Sequence, residues 1–369
     1  MKITDVTVTL FAWTGIPATT YHAGSDNTAG CSTLGLVRIS TDAGIEGHAF
    51  LGSAMNPGGP DSEALIRFLK PLLVGQDALA REHLHRRMIG RVRYAGWRAL
   101  GACDVALWDI AGKAAGLPLH RLFGTCRDSI IAYASSQLLD SPEAYAQQAL
   151  QLKNRGWRAY KIHPPQSVDA DIAACKAVRV AVGDDFPLML DASWSYGYED
   201  ALRLGRAVEK LGFLWYEDPL ADQDLYGYVK LRQKLDIPIL ATEFPAGSLS
   251  SYTPWITERA TDMLRGDIPL KGGLTGMLKT AHTAEAFGLR YEIHHGGNSV
   301  NNYAQLHLAC AIPNTTYFEV LLPDGAQKYG VTQDIEIDAD GRVHPPSSPG
   351  IGAPIDFDLV ENRTEGVLR

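Results

Sequence analysis

The chain reads as an α/β protein: a (β/α)8 TIM-like barrel with an α+β capping domain formed by the N-terminal part and the C-terminal tail. Three observations predict this. Short apolar strands recur from Ile130 onward, most are separated by 10–15-residue segments of helical spacing, and both ends of the chain have a different, strand-and-turn texture. Strands alternating with helices imply βαβ units and a parallel sheet. Eight units in about 195 residues suit a closed barrel of roughly 250 residues or fewer. A doubly wound sheet fits less well, because no GxGxxG turn follows the first strand.

Taken in order, Lys2 to Phe11 alternates like a strand, a polar Gly/Thr/Ser-rich loop spans Gly15 to Gly30, and Ser32 to Ser40 resumes as a strand. Asp42-Ala43-Gly44 then turns the chain into Ile45–Phe50. From Asp61 to about Leu122 the period is helical, with Ala64, Leu65, Phe68 and Leu69 on one face and a second helix over Leu100–Ala115. The barrel strands are predicted at Ile130–Ala134, Ala159–Ile162, Leu188–Leu190, Phe213–Tyr216, Ile237–Ala241, Met263–Asp267, Leu289–Ile293 and Tyr317–Val320, with helices such as Ser141–Arg155 and Asp169–Val182 between them. After about Val331 strand-and-turn texture returns. The expected division is a cap over 1–125, a barrel over 126–325, and a tail over 326–369 that returns to the cap.

Composition bounds the function. In 369 residues, 46% are hydrophobic and 21% charged, which excludes disordered and collagen-like classes. No apolar run approaches the roughly 18 residues of a membrane span. The opening MKITDVTVTLFAW alternates and has no small-residue cleavage site, so no secretory signal is expected. With 34 basic against 42 acidic residues the net charge is −8, the wrong sign for a nucleic-acid partner. Five scattered cysteines (Cys31, Cys103, Cys126, Cys175, Cys310) form no CxxC pair and point to a reducing cytoplasm rather than a disulfide framework. The sequons at Asn314 and Asn362 are then chance matches.

In such barrels the reacting groups sit at the C-terminal strand ends. Those ends carry Lys161 and His163, Asp191, Glu217, Glu243, Asp267, His294 and Glu319; from Asp191 on, the intervals are 24 to 27 residues. That is one βα unit each, so the side chains converge on one mouth. A lone charge after a strand is ordinarily a solvated loop residue; seven in succession are not explained that way. Asp191, Glu217 and Glu243 follow the apolar runs LML, FLWY and PILAT. Three crowded, partly buried carboxylates would raise one another's pKa unless a cation joined them, and all-oxygen ligands with open positions favour Mg²⁺. Lys161 and His163 lie two apart and share a face. Lys161 suits a substrate carboxylate, the role of base, or both, since a desolvated lysine beside a metal has a lowered pKa; His163 suits proton transfer or a polar network. Asp267 and His294, from neighbouring strands, form a carboxylate–imidazole pair that makes His294 the best base. His295 should point elsewhere.

This constellation resembles the enolase superfamily, mandelate racemase subgroup, over essentially the whole chain, including ALWDIAGKAAGLPLHRLFG ahead of the barrel and DIPLKGGLTG after the sixth strand. The resemblance implies that Asp191, Glu217 and Glu243 are ligands of one Mg²⁺ per subunit and that Lys161 is the first lysine of a KxK motif. It also makes Asp267 and His294 the family's Asp–His dyad and Glu319 the acid that hydrogen-bonds the enolate oxygen. A small carboxylate substrate and a homo-oligomer, dimer or octamer, are implied as well. Departures are His163 for the second lysine, Ser193 where Asn often stands, and Glu217-Asp218-Pro219 in place of EEP; Asp267 argues against the muconate-lactonizing branch, which has Lys there.

The expected chemistry is abstraction of the proton α to a carboxylate, stabilisation of the enediolate by metal, Lys161 and, if protonated, Glu319, and loss of a β-hydroxyl to give a 2-keto-3-deoxy acid from an aldonate or aldarate. His294 serves as base, as acid for the departing hydroxyl, or both. Racemisation or epimerisation of a 2-hydroxy acid is the alternative, with Lys161 as second base. A metal-dependent amidohydrolase would carry HxH on its first strand, where this chain has IIAYASS. A non-catalytic metal-binding barrel would be expected to lack a ligand or the dyad. Tyr21, His22, Trp97, Arg98 and Trp194 are the expected substrate-binding residues, with His48, Tyr94 and Tyr196 also within reach; Arg98 would suit a second carboxylate.

Overall fold

The computed structural model describes the backbone of all residues except 25–27, 244, 246 and 248, and the side chains of all of those but 28 and 29. The alternating N-terminal segment forms β1 (Ile3–Thr19), which pairs antiparallel with β2 (Thr28–Thr41), itself paired with β3 (Glu46–Leu51). Val6, Val8, Phe11 and Trp13 of β1 are buried. The loop expected over Gly15–Gly30 is shorter than its composition suggests. The β1–β2 ladder shifts register between Thr14 and Ile16, at Gly15, and then continues to Thr19↔Thr28. Ladder hydrogen bonds are made by backbone, so polar side chains do not end a hairpin arm. Part of that expected loop, residues 25–27, lies outside the described residues.

The second predicted helix runs over Val92–Ala115 and crosses β3 closely. Gly47 makes this possible: a Cβ there would come within 2.0 Å of the Ala106 carbonyl oxygen. Asp109 on this helix accepts from His48 N–H at 3.0 Å, from Lys113 Nζ at 2.7 Å and from Ile351 N–H at 2.9 Å, which fixes the C-terminal tail to the cap. His48 is thus used in the cap and does not line the site.

Eight parallel strands follow: β4 (Ile130–Ser135), β5 (Tyr160–Ile162), β6 (Leu188–Asp191), β7 (Trp215–Glu217), β8 (Ile239–Ala241), β9 (Met263–Gly266), β10 (Arg290–Ile293) and β11 (Tyr317–Leu321). Each falls on its predicted segment. The ladder runs β10-β9-β8-β7-β6-β5-β4-β11, so the ring is nearly closed. Among the described residues no ladder joins β10 to β11; the inward-facing Glu292 carboxylate bridges that seam, accepting from Thr316 N–H at 3.1 Å and Tyr317 N–H at 3.3 Å. The tail first adds β12 (Arg342–Val343) to the start of β4, then returns to the cap as β13 (Thr364–Leu368) beside β1.

The lumen holds a layer of Tyr133, Ala159, Met189, Trp215, Leu240 and Met263. Because successive strand side chains alternate faces, the inward positions two residues on from five of these or their neighbours are Lys161, Asp191, Glu217, Arg265 and, above Tyr317, Glu319. The cap sits over this end, and Asn298 Nδ2 donates to Gly52 O at 2.9 Å. Among the described residues no helix is long and apolar enough to cross a membrane.

Candidate active site

Asp191 and Glu217 end β6 and β7, and Glu243 lies two residues beyond β8. One oxygen from each lies within 4.8 Å of the others, and all three residues are buried. The turns that aim them leave ordinary backbone space: Ser193 (φ 48°), Trp194 (φ 59°), Asp218 (φ 38°) and Thr242 (φ 85°) all have positive φ. Such conformations are costly in non-glycine residues and collect at functional sites.

Two cations are buried among these acids. Lys161 Nζ lies 3.0 Å from Asp191 Oδ2, 3.0 Å from Glu217 Oε1 and 2.8 Å from Glu319 Oε1. Arg265 Nε lies 2.7 Å from Glu217 Oε1 and 3.5 Å from Glu243 Oε2, while Nη2 pairs with Glu319. Arg265 is absent from the sequence-based set, although its signal was present. It stands between Met263 and Asp267 on one strand face, so period two alone aims it into the lumen.

Burial and Arg265 would lower the pKa of Lys161, but Asp191, Glu217 and Glu319 hold its ammonium well above the usual lysine range. For Glu319, burial favours the acid form, yet Arg265 and Lys161 keep its carboxyl well below the usual carboxylate range. Mutual elevation holds for two of the three expected ligands. Burial raises Glu217 to about 7 and also raises Glu243. Asp191, opposed by burial but paired with Lys161 and His163, lies well below its ordinary value. Burial also pushes Asp218 well above the usual range, and it has no partner among the described residues.

The site fits a divalent cation. Four carboxylates (Asp191, Glu217, Glu243, Glu319) surround two fixed cations (Lys161, Arg265), which leaves two negative charges. The ligand atoms are all oxygen, the choice of a hard ion such as Mg²⁺.

On the far side of the triad, His294 Nδ1 meets Asp267 Oδ2 at 2.7 Å and Nε2 lies 3.3 Å from Glu243 Oε1. Burial lowers its pKa, but Glu243 and Asp267 raise it further, to about 9. His163 Nδ1 donates to Ser136 O at 2.6 Å, leaving Nε2 3.1 Å from Asp191 Oδ2. The His295 ring is held by Gly297 N–H at 3.0 Å and Asn302 at 2.9 Å, turned from the acids although its edge still lines the cavity.

Above these groups is a cavity of about 320 Å³. Its barrel end shows His163, Asp191, Glu243, Asp267 and His294, and its cap end shows Tyr21, His22, Arg98 and Trp194. Tyr21 is anchored, its hydroxyl donating to Leu322 O at 2.6 Å and accepting from Gln327. Trp97 is corrected: it does not line the cavity, because its ring packs against the backbone of Gly272 and Gly247. Tyr94 is exposed beside Phe68.

Comparison with known proteins agrees with this geometry. Residues 4–124 match the family model for the mandelate racemase / muconate lactonizing enzyme N-terminal domain, and residues 144–359 match the enolase C-terminal domain-like model. The chain is 31% identical to the L-talarate/galactarate dehydratase of Salmonella typhimurium over 77% of this chain and 72% of that protein. It is 29% identical to the arabinonate dehydratase of Saccharolobus solfataricus over 83% and 85%. A crystal structure of D-glucarate dehydratase from Agrobacterium tumefaciens complexed with magnesium superposes with a TM-score of 0.88 at 35% identity, covering 99% of this chain and 100% of that one. The chain therefore belongs to the enolase superfamily, with the cap and barrel of its mandelate racemase-like members.

Proposed function

We propose that the protein removes the proton α to the carboxylate of an acid sugar and expels the β-hydroxyl, giving a 2-keto-3-deoxy acid. Asp191, Glu217 and Glu243 would hold one Mg²⁺. Bound there, the ion supplies a Lewis acid for the substrate carboxylate and engages the Glu243 charge that otherwise keeps His294 protonated.

The observation that carries the reading is the asymmetry of bases across the mouth. His294, its Nδ1–H directed at Asp267, presents Nε2 to the cavity. On the opposite side Lys161, paired with three carboxylates, does not line the cavity, and the His163 Nδ1 meets the backbone carbonyl of Ser136 rather than a carboxylate. One imidazole backed by a carboxylate faces the cavity, which suits elimination better than racemisation. His294 takes the α-proton, and its imidazolium returns that proton to the departing β-hydroxyl. The C–O bond breaks, water leaves, and the enol ketonises, gaining a proton at C3 and releasing the one on its C2 oxygen. Lys161, ion-paired with Glu319, offsets the charge that builds on the carboxylate. The acid-sugar dehydratases among the relatives support this reading.

Proton NMR in D₂O with Mg²⁺ and a panel of aldonic, aldaric and 2-hydroxy acids tests it. A 3-deoxy methylene signal is expected, lost in His294→Asn. Exchange of the α-proton without that signal would instead mark a racemase or epimerase, and full turnover by His294→Asn would remove His294 from its role.

A further inference from the structure

We propose that the substrate is a dicarboxylate, an aldaric acid whose second carboxylate is seated by Arg98 at the cap end of the cavity; this rests on the acid-sugar reading above. Arg98 supplies the only Lys or Arg side chain among the described residues that line the cavity. The other ionisable side chains of that lining are Asp191, Glu243 and Asp267, the histidines of the barrel end, Tyr21, and His22 at the cap end.

The placement of Arg98 depends on a break in its helix. Within Val92–Ala115, Gly96 has φ 80° and ψ 159°, a conformation that L-residues rarely adopt. Beyond the break Trp97 packs on the Gly272 backbone and Arg98 reaches the cavity. Its guanidinium is already oriented: Nη2 donates to Asn56 Oδ1 at 3.0 Å, and Nη1 lies 3.7 Å from Asp61 Oδ2. Asn56 is itself fixed, since Ser53 N–H donates to its carbonyl at 2.8 Å and its N–H donates to Ser53 Oγ at 3.0 Å. A guanidinium has five N–H donors in a planar fork that matches a carboxylate, so these contacts leave donors for a ligand.

Charge selects the substrate class. With a divalent cation in place the buried acids are balanced, and the first carboxylate is accommodated at the barrel end. Of the Lys and Arg side chains on the described lining only Arg98 could compensate a second carboxylate, in a cavity that also exposes Leu51, Met55, Leu270 and Leu321. An aldonate would set a neutral CH₂OH there and leave the guanidinium with Asp61 as its one carboxylate partner.

The test uses two six-carbon acids of the same configuration, one ending in CH₂OH and one in a carboxylate, with Mg²⁺-loaded protein. Arg98 is 36% exposed, so solvent screening limits the effect, and a preference of about 10-fold in kcat/KM for the diacid is expected. In Arg98→Met that ratio should fall to within about 3-fold of unity, with Arg98→Lys between; taking a ratio cancels general damage to the fold. A wild-type ratio near one, or a ratio unchanged in Arg98→Met, would overturn the proposal. If neither acid is turned over, the dehydration reading fails, and the calorimetric affinity ratio of the same two acids still decides the role of Arg98.

Discussion

Arg265→Met removes a charge from the centre of the site while keeping most of the side-chain volume. Arg265 is fully buried and lies against Glu217 at 2.7 Å, Glu243 at 3.5 Å, and Glu319. Deleting one partner of a buried ion pair typically costs about 3–5 kcal/mol, because the remaining charge is left without compensation. Here three carboxylates lose a partner, although protonation of Glu217, already raised to about 7, caps the penalty. A loss of roughly 4 kcal/mol is expected without metal, a large fraction of the approximately 5–15 kcal/mol that holds a domain together. Mg²⁺ should offset much of it. One unit charge about 6 Å away through an effective dielectric of about 20 is worth roughly 3 kcal/mol, and an ion held by the triad would engage Glu217 and Glu243, two of the same carboxylates. The assay is urea unfolding of wild type and variant in EDTA and in saturating Mg²⁺, compared at constant m-value. A loss below about 1 kcal/mol in EDTA, or the same loss with and without Mg²⁺, would refute the view that Arg265 and the metal compensate one charge cluster.

Two further outcomes follow from the same geometry. Asp191→Asn should weaken Mg²⁺ binding by more than about 100-fold in a calorimetric titration; unchanged affinity would remove the metal from this triad. The other concerns acid stability. His307 donates Nε2–H to Ile351 O at 2.7 Å and accepts His120 N–H at Nδ1 at 3.2 Å, and burial lowers its pKa to about 4 from an ordinary 6.5. A folded-state pKa below the unfolded value means that the unfolded chain binds the proton first, so stability falls as pH drops from 6.5 toward 4. Urea midpoints measured across that window should decline less steeply for His307→Gln than for wild type, and parallel declines would contradict this assignment.

Much of the fold was legible because its signals are local. Each barrel strand is a short apolar run, and the interval between charged strand ends equals one βα unit, so the order of Asp191, Glu217, Glu243, Asp267, His294 and Glu319 around the mouth could be read without coordinates. The hairpin arms beyond Trp13 were not, since backbone pairing leaves no mark on composition. The seam closed by Glu292 also escaped notice, because its partners are backbone N–H groups more than twenty residues away.

The sequence by itself determined which groups could react: side-chain identity and period-two alternation assign the acids, the lysine and the dyad to one rim. Only the tertiary structure decided their ionisation and reach. Glu319 is ionised because Arg265, from a third strand, and Lys161 enter its cluster, whereas Lys161 stays an ammonium because Asp191, Glu217 and Glu319 outweigh burial and that same Arg265. Trp97 is turned away while Arg98 faces the cavity because the helix breaks at Gly96. Ionisation depends on every charge within a few ångströms in a dry interior, and those neighbours come from strands that are far apart in the chain.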